Sequence, residues 1–229
     1  MIKVIFPEIS TTQKDLFKYE NTKKILSHQN LVVQSFVQNT GHGRGSKVWF
    51  SPKGNIYLTM NTLIKQKDIL STSFYICFLV HKFIKKRYSI DLQYKWPNDL
   101  YYKNLKILGV IANSKIIGKN SITQIGLGLN TNKSPIKNSI HLSKIIKKKI
   151  SIFSISNDLL SFINKSLAHN YSVVNIVRYL NRYLLKNFSL NHPKFINFNK
   201  IKILALNNNL SLKINLNSEI HDIYFGELE

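Results

Sequence analysis

Between Gln38 and Trp49 the chain reads Gln-Asn-Thr-Gly-His-Gly-Arg-Gly-Ser-Lys-Val-Trp, with three of its nine glycines and one of its four arginines packed into residues 41–45. Glycine at alternate positions removes the Cβ atoms that keep a ligand off the backbone, and it permits positive φ, so successive N–H groups can turn toward an anion. Arg44 and Lys47 add charge, so a carboxylate or a phosphate is the ligand this loop suits; a polar hairpin loop is the other reading of the same residues. A second segment, Lys95-Trp96-Pro97-Asn98-Asp99-Leu100, precedes Lys106-Ile107-Leu108-Gly109-Val110. Pro97 stops a strand and leaves Asn98 and Asp99 at its end, either aimed at a ligand or closing an Asx turn. The third segment is Gly126-Leu127-Gly128-Leu129-Asn130. Its alternate glycines admit a flat ligand or mark a bulge, and Asn130 offers a donor and an acceptor to a nucleobase edge.

These segments need elements to hold them. Residues 11–28 read as a helix, with Leu16, Tyr19, Lys23 and Leu26 at three- and four-residue spacing and Ser10 or Thr11 as N-cap. Leu31 to Val37 reads as a buried strand running into the glycine loop, and Asn55 to Met60 as a strand entered through the turn Ser51-Pro52-Lys53-Gly54. Asp68 to Arg87 is apolar enough for a core helix. Asp91 to Trp96, Lys106 to Ser114 and Ser121 to Leu129 read as strands, separated by turns at Tyr102-Lys103-Asn104 and Gly118-Lys119-Asn120. Residues 133–150 read as a polar, basic connection, and 154–168 and 172–186 as two helices joined near His169-Asn170. Ile201 to Leu206 and Leu210 to Leu216 alternate with period two around Asn207-Asn208-Asn209, which predicts a short β appendage. The expected fold class is α+β: a mixed, mostly antiparallel sheet flanked by helices over residues 1–190, with a reduced β module over 191–229.

At 229 residues and 44% hydrophobic, the chain can bury a sizeable core. Its formal charge of +22 invites a nucleic-acid reading. However, 29 of its 33 basic residues are lysine, and lysine, isoleucine (31) and asparagine (26) together fill 86 positions. All three are read from A- and T-rich codons, so base bias accounts for the charge, and the lysines are dispersed along the chain. Runs such as Lys147-Lys148-Lys149 then read as solvated faces. The one cysteine, Cys77, sits in an apolar run as a small hydrophobe, and the seven histidines show no metal-ligand spacing, so no structural metal is expected. The start lacks a signal peptide and no apolar run reaches membrane-spanning length, which makes a cytoplasmic protein the expectation.

In this order and spacing the segments resemble the biotin protein ligase family, also called biotin–carboxylase ligases or holocarboxylase synthetases. The resemblance covers Ser10-Thr11-Thr12, Gln38 to Pro52, Lys95 to Leu100, Lys106 to Val110 and Gly126 to Asn130, roughly residues 8–132. It implies the class II synthetase-like catalytic domain of biotin and lipoate ligases and a two-step reaction: biotin and ATP give biotinyl-5′-AMP, and a lysine of the biotin carboxyl carrier protein of acetyl-CoA carboxylase then displaces AMP. By the same resemblance, Lys106, Arg44 and Asp99 are catalytic. Ser10, Thr11, Thr12, Gln38, Gly41, His42, Gly43, Arg44, Lys106 and Gly109 bind biotin. Arg44, Trp49, Asn98 and Asn130 bind the nucleotide, and Asp99 helps hold Mg²⁺. Donors from the loop N–H groups of Gly41 and Gly43 are expected at the phosphate, and plain core packing is expected of Trp96. Three positions depart from the family pattern: His42 stands for Arg or Lys, Thr12 for Asn and Ser46 for Gly. The resemblance implies a catalytic-domain type without an N-terminal DNA-binding domain, acting as monomer or homodimer, with a C-terminal β module cut to about one hairpin. A lipoate or octanoate ligase of the same fold is the near alternative, and a basic nucleic-acid-binding protein the distant one.

Overall fold

The computed structural model describes residues 2–13, 31–65, 71–117, 120–167, 169, 171–188 and 201–224. The expected helix over 11–28 lies outside them beyond Gln13, as do the turn residues Gly118 and Lys119, Asn170, and the boundary near residue 190. Among the described residues, β1 (Ile2–Phe6), β2 (Leu31–Ser35), β3 (Ile56–Lys65), β4 (Gln93–Lys95), β5 (Asp99–Tyr102), β6 (Leu105–Ile117) and β7 (Asn120–Leu129) form one sheet in the order β1-β2-β3-β7-β6-β5-β4. Only β1 and β2 pair in parallel; every other neighbour is antiparallel. The mixed, mostly antiparallel sheet expected from the sequence is the fold observed.

The period-two alternation of β3 and β7 decides what each face of this sheet does. Ile56, Leu58 and Met60 pair across with Leu129, Leu127 and Ile125, and all six belong to the main core. The apolar residues of α1 (Thr72–Tyr88) pack there too, with α3 (Ile152–Leu167) and α4 (Val173–Arg182) outside it. Tyr57, Thr59 and Asn61 pair with Gly128, Gly126 and Gln124, which places small and polar residues on the opposite face. That face carries the cleft. Lys85, Lys86 and Arg87 occupy the last turn of α1, where they complement the helix dipole, and Ser89 caps it in the left-handed region at φ 56°.

The structure departs from the sequence reading in several places, one of them β5, where Asp99–Tyr102 form a strand between those expected at 91–96 and 106–114. Ile2–Phe6, read only as a chain start, is a strand whose Lys3 ammonium donates to Ser156 Oγ at 2.7 Å and Asn157 Oδ1 at 2.8 Å of α3. The helix expected to reach residue 186 ends at Arg182, because Tyr183 O and Leu185 N pair with Tyr94 of β4 at 2.7 Å each. The connection over 133–150 contains the short α2 (Leu142–Ile146). The C-terminal module has three strands instead of one hairpin: β8 (Ile201–Leu206), β9 (Leu212–Leu216) and β10 (Glu219–Ile223), antiparallel in the order β10-β9-β8. Asn217 and Ser218, both at positive φ (49° and 77°), make the extra two-residue turn.

Candidate active site

A cleft of about 510 Å³ opens on the glycine-bearing face of the sheet. Its first wall is the segment after β1. Thr11, Thr12 and Gln13 are buried, and Thr12 ties this segment to the glycine loop: its N–H donates to Gln38 Oε1 at 2.8 Å and its hydroxyl to the same oxygen at 3.1 Å. Thr59 Oγ1 donates to Thr12 Oγ1 at 2.8 Å, and Gln38 Nε2 donates to Ser51 Oγ at 2.9 Å. Ser10 stands outside the wall, exposed, with its carbonyl accepting from Thr40 N at 2.8 Å.

The glycine loop folds as a small hairpin. Trp49 N donates to Gly41 O at 2.9 Å and Gly43 N to Lys47 O at 2.6 Å, with Gly45 turning at φ 61°. The Gly43 N–H is therefore engaged within the loop, so the chemistry offered to the cleft there comes from the side chains of His42, Arg44 and Lys47, which line it. A Cβ at Gly41 would lie 2.6 Å from Ser51 Oγ, so this glycine is required for the hairpin to close on Ser51.

Trp49 lies across the sheet. A Cβ at Gly109 would meet its Cζ3 at 2.8 Å and one at Gly128 its Cζ2 at 2.6 Å, so this glycine pair, one on each of two neighbouring strands, forms a flat seat for the indole. The indole Nε1 is buried with no partner among the described residues. Lys106 Nζ stands 5.1 Å from the ring centroid and makes an ion pair with Asp99 Oδ2 at 2.6 Å. Asp99 Oδ1 is buried and also without a partner among the described residues.

Asn98 lines the cleft, and Asn130 stands behind it. Asn98 Nδ2 donates to Val110 O at 2.6 Å while Val110 N donates to Asn98 O at 2.9 Å, locking the turn onto β6. Asn130 is buried, does not line the cleft, and donates to the Lys106 carbonyl at 3.3 Å. Trp96 is buried, as expected for a packing residue, and its indole N–H donates to Leu210 O at 3.0 Å, joining the turn after β4 to the C-terminal module.

Lys95, Phe188 and Gln13 are among the lining residues to which the sequence reading gave no site role. Lys95 donates to Tyr101 Oη at 3.3 Å with its ammonium over the Tyr101 and Phe188 rings, 5.1 and 4.9 Å from their centroids; burial lowers its pKa. Its pairing opposite Asp99 was legible in the Lys-Trp-Pro-Asn-Asp spacing once a hairpin is drawn there. Phe188 gives no signal. Gln13 follows Ser10-Thr11-Thr12 directly, and that adjacency was the available signal. Among the described residues the lining thus carries four cations, Arg44, Lys47, Lys95 and Lys106, against the single carboxylate of Asp99, and from Lys106 and Asp99 beside Gly109 and Gly128 it passes to neutral groups at Thr11, Thr12, Gln13, Gln38 and Gly126. Among the described residues no cluster of three or more His, Cys, Asp or Glu could hold a metal, and no helix is long and apolar enough to cross a membrane.

The profile of the biotin/lipoate A/B protein ligase family matches residues 5–132. Human biotin–protein ligase is 37% identical over 117 residues, covering 46% of this chain and 16% of that protein. Arabidopsis thaliana biotin–protein ligase 2 is 31% identical over 129 residues, 50% of this chain and 39% of its own length. The chain therefore spans well under half the length of these relatives. Among solved structures, the Aquifex aeolicus biotin protein ligase in complex with biotin and ATP superposes with a TM-score of 0.77 at 19% identity, covering 100% of this chain and 97% of that one. The Leishmania major biotin protein ligase in complex with biotinyl-5-AMP gives 0.70 at 17%, covering 98% and 99%. At these identities the likeness shows the fold.

Proposed function

The chain belongs to the biotin/lipoate A/B protein ligase family, and we propose that within it the protein is an ATP-dependent biotin protein ligase. The observation that carries this reading is the polarity of the cleft: neutral amides and hydroxyls at one end, four cations and one carboxylate at the other. Biotin has the same polarity, with a neutral ureido ring at one end of an aliphatic chain and a carboxylate at the other. Lipoate has no hydrogen-bonding group at its ring end that would answer the amide nitrogen of Gln13, unpartnered among the described residues.

In the first step a biotin carboxylate oxygen attacks the α-phosphorus of ATP, the bond to the bridging oxygen breaks, and pyrophosphate leaves with its electrons. Two anions have to meet, so the work is positioning and electrostatic stabilisation. An ammonium has three donors, so Lys106 can keep Asp99 and still donate to the carboxylate and to an α-phosphate oxygen. Arg44, Lys47 and Lys95 border the path of the leaving pyrophosphate. In the second step the amine of a carrier lysine attacks the acyl carbon, the anhydride C–O bond breaks, and AMP departs while the amine loses a proton. Asp99, the one carboxylate of the lining, orients that amine. The same carboxylate suits a nucleotide-borne Mg²⁺, which takes one or two carboxylates and fills its remaining positions with phosphate and water.

Trp49 faces the adenine side, and Asn130 and Asn98 support the nucleotide through the backbone they brace. The carrier we propose is the biotin carboxyl carrier protein of acetyl-CoA carboxylase, met in the cytoplasm by a monomer or homodimer. The test is incubation with biotin, MgATP and a carrier domain, read by mass spectrometry. A biotin mass shift on the carrier lysine is expected; transfer of lipoate alone would overturn the proposal.

A further inference from the structure

We infer that Gln13 is the specificity-determining residue for the ring end of the substrate, donating from its amide nitrogen to the ureido oxygen of biotin; this rests on the biotin-ligase reading above. Gln13 is 5% exposed and lines the cleft. Its Oε1 accepts from Asn113 Nδ2 at 3.2 Å, which fixes which way the amide faces. Nε2 is thereby turned inward, buried and without a partner among the described residues. Gly126 makes the room: a Cβ there would lie 2.7 Å from that nitrogen.

The neighbouring polar groups of the lining, Thr12 and Gln38, are engaged with one another, while Gln124 and Asn61, which have unpartnered amide atoms among the described residues, do not line the cleft. Thr12 Oγ1 is bonded to Gln38 and Thr59, and both amide atoms of Gln38 are occupied, Oε1 by Thr12 and Nε2 by Ser51. A buried N–H₂ lacking an acceptor is costly, and the ligand that relieves it is one carrying a carbonyl oxygen. An anion is drawn instead to the cationic end. The sheet also fixes the spacing: Gly126 under Gln13 and Gly128 under Trp49 are two residues apart on β7, about 7 Å at ~3.3 Å per residue. That is comparable to the reach of biotin's four-methylene chain. Thr12 stands where the family pattern has Asn, and the Gln13 amide supplies a donor beside it.

The experiment compares biotin with 2-iminobiotin, in which a protonated imino nitrogen, a donor, replaces the accepting ureido oxygen. Adenylate formation is followed by pyrophosphate release for wild type, Gln13→Leu and Gln13→Glu. Gln13→Leu should raise the KM for biotin at least tenfold with the KM for ATP near wild type. Gln13→Glu should shift the biotin-over-2-iminobiotin preference at least tenfold toward 2-iminobiotin, a change that loss of packing alone does not produce. An active wild type whose KM for biotin survives Gln13→Leu, or whose analogue preference survives Gln13→Glu, would overturn the role of Gln13 alone. A wild type that makes no biotinyl-adenylate would overturn the biotin-ligase reading, and this inference with it.

Discussion

Lys106 and Asp99 hold each other at 2.6 Å beside the Trp49 ring, and in the proposed reaction the biotin carboxylate shares the ammonium with Asp99. Neither partner is deeply buried, with side-chain exposures of 26% and 15%, and the pair does little for stability; its value lies in fixing where the charge sits. Lys106→Ala should therefore leave the fold intact and slow adenylate formation by roughly 10² to 10³, the cost of losing one preorganised donor at developing charge. Pyrophosphate release together with near-ultraviolet circular dichroism checks both halves of that expectation. This lysine was legible in the sequence, because Lys-x-x-Gly-Val places it on the strand that Asp99 pairs with. The hairpin bond from Gly43 N to Lys47 O was not, since glycine spacing alone leaves open whether N–H groups turn outward or toward their own loop.

At the level of elements, the sequence exposed what periodicity controls. β3, β7 and α1 follow from alternation and apolar density. The end of α4 does not, because Tyr183 and Leu185 pair with Tyr94, ninety residues away in sequence, in preference to another helical turn. Nor does the third strand of the C-terminal module, whose turn rests on positive φ at Asn217 and Ser218, neither of them glycine. That module is joined to the catalytic hairpin through Trp96 Nε1 and Leu210 O, and to α4 through Asn181, whose amide bonds both N–H and C=O of Leu206 at 2.7 and 2.9 Å. Trp96→Phe keeps the ring and deletes the donor, leaving the Leu210 carbonyl unpaired. Urea denaturation should show a loss of about 1–3 kcal/mol.

The whole molecule carries a pH dependence set far from the cleft. His81 is buried on α1, with one ring nitrogen 2.8 Å from Tyr179 Oη and the other 2.8 Å from Leu92 O; burial lowers its pKa to about 4, against the opposing pull of the Leu92 carbonyl. The unfolded chain, at its ordinary value near 6.5, binds that proton first, so this contribution is complete above about pH 6.5 and fades as pH falls toward 4. Between pH 7 and 5 it amounts to about 2 kcal/mol at ~1.36 kcal/mol per unit. Denaturation midpoints across that range should fall in the wild type, and His81→Phe should remove this share of the slope. The Trp96 to Leu210 hydrogen bond bears on time as well as on energy. The two residues lie 114 positions apart, and at ~5–20 residues per second of synthesis the indole waits roughly 6 to 23 s for its acceptor to be made. A nascent chain thus carries its glycine loop, Asp99 and Lys106 well before the Leu210 carbonyl that holds the Trp96 turn has been made.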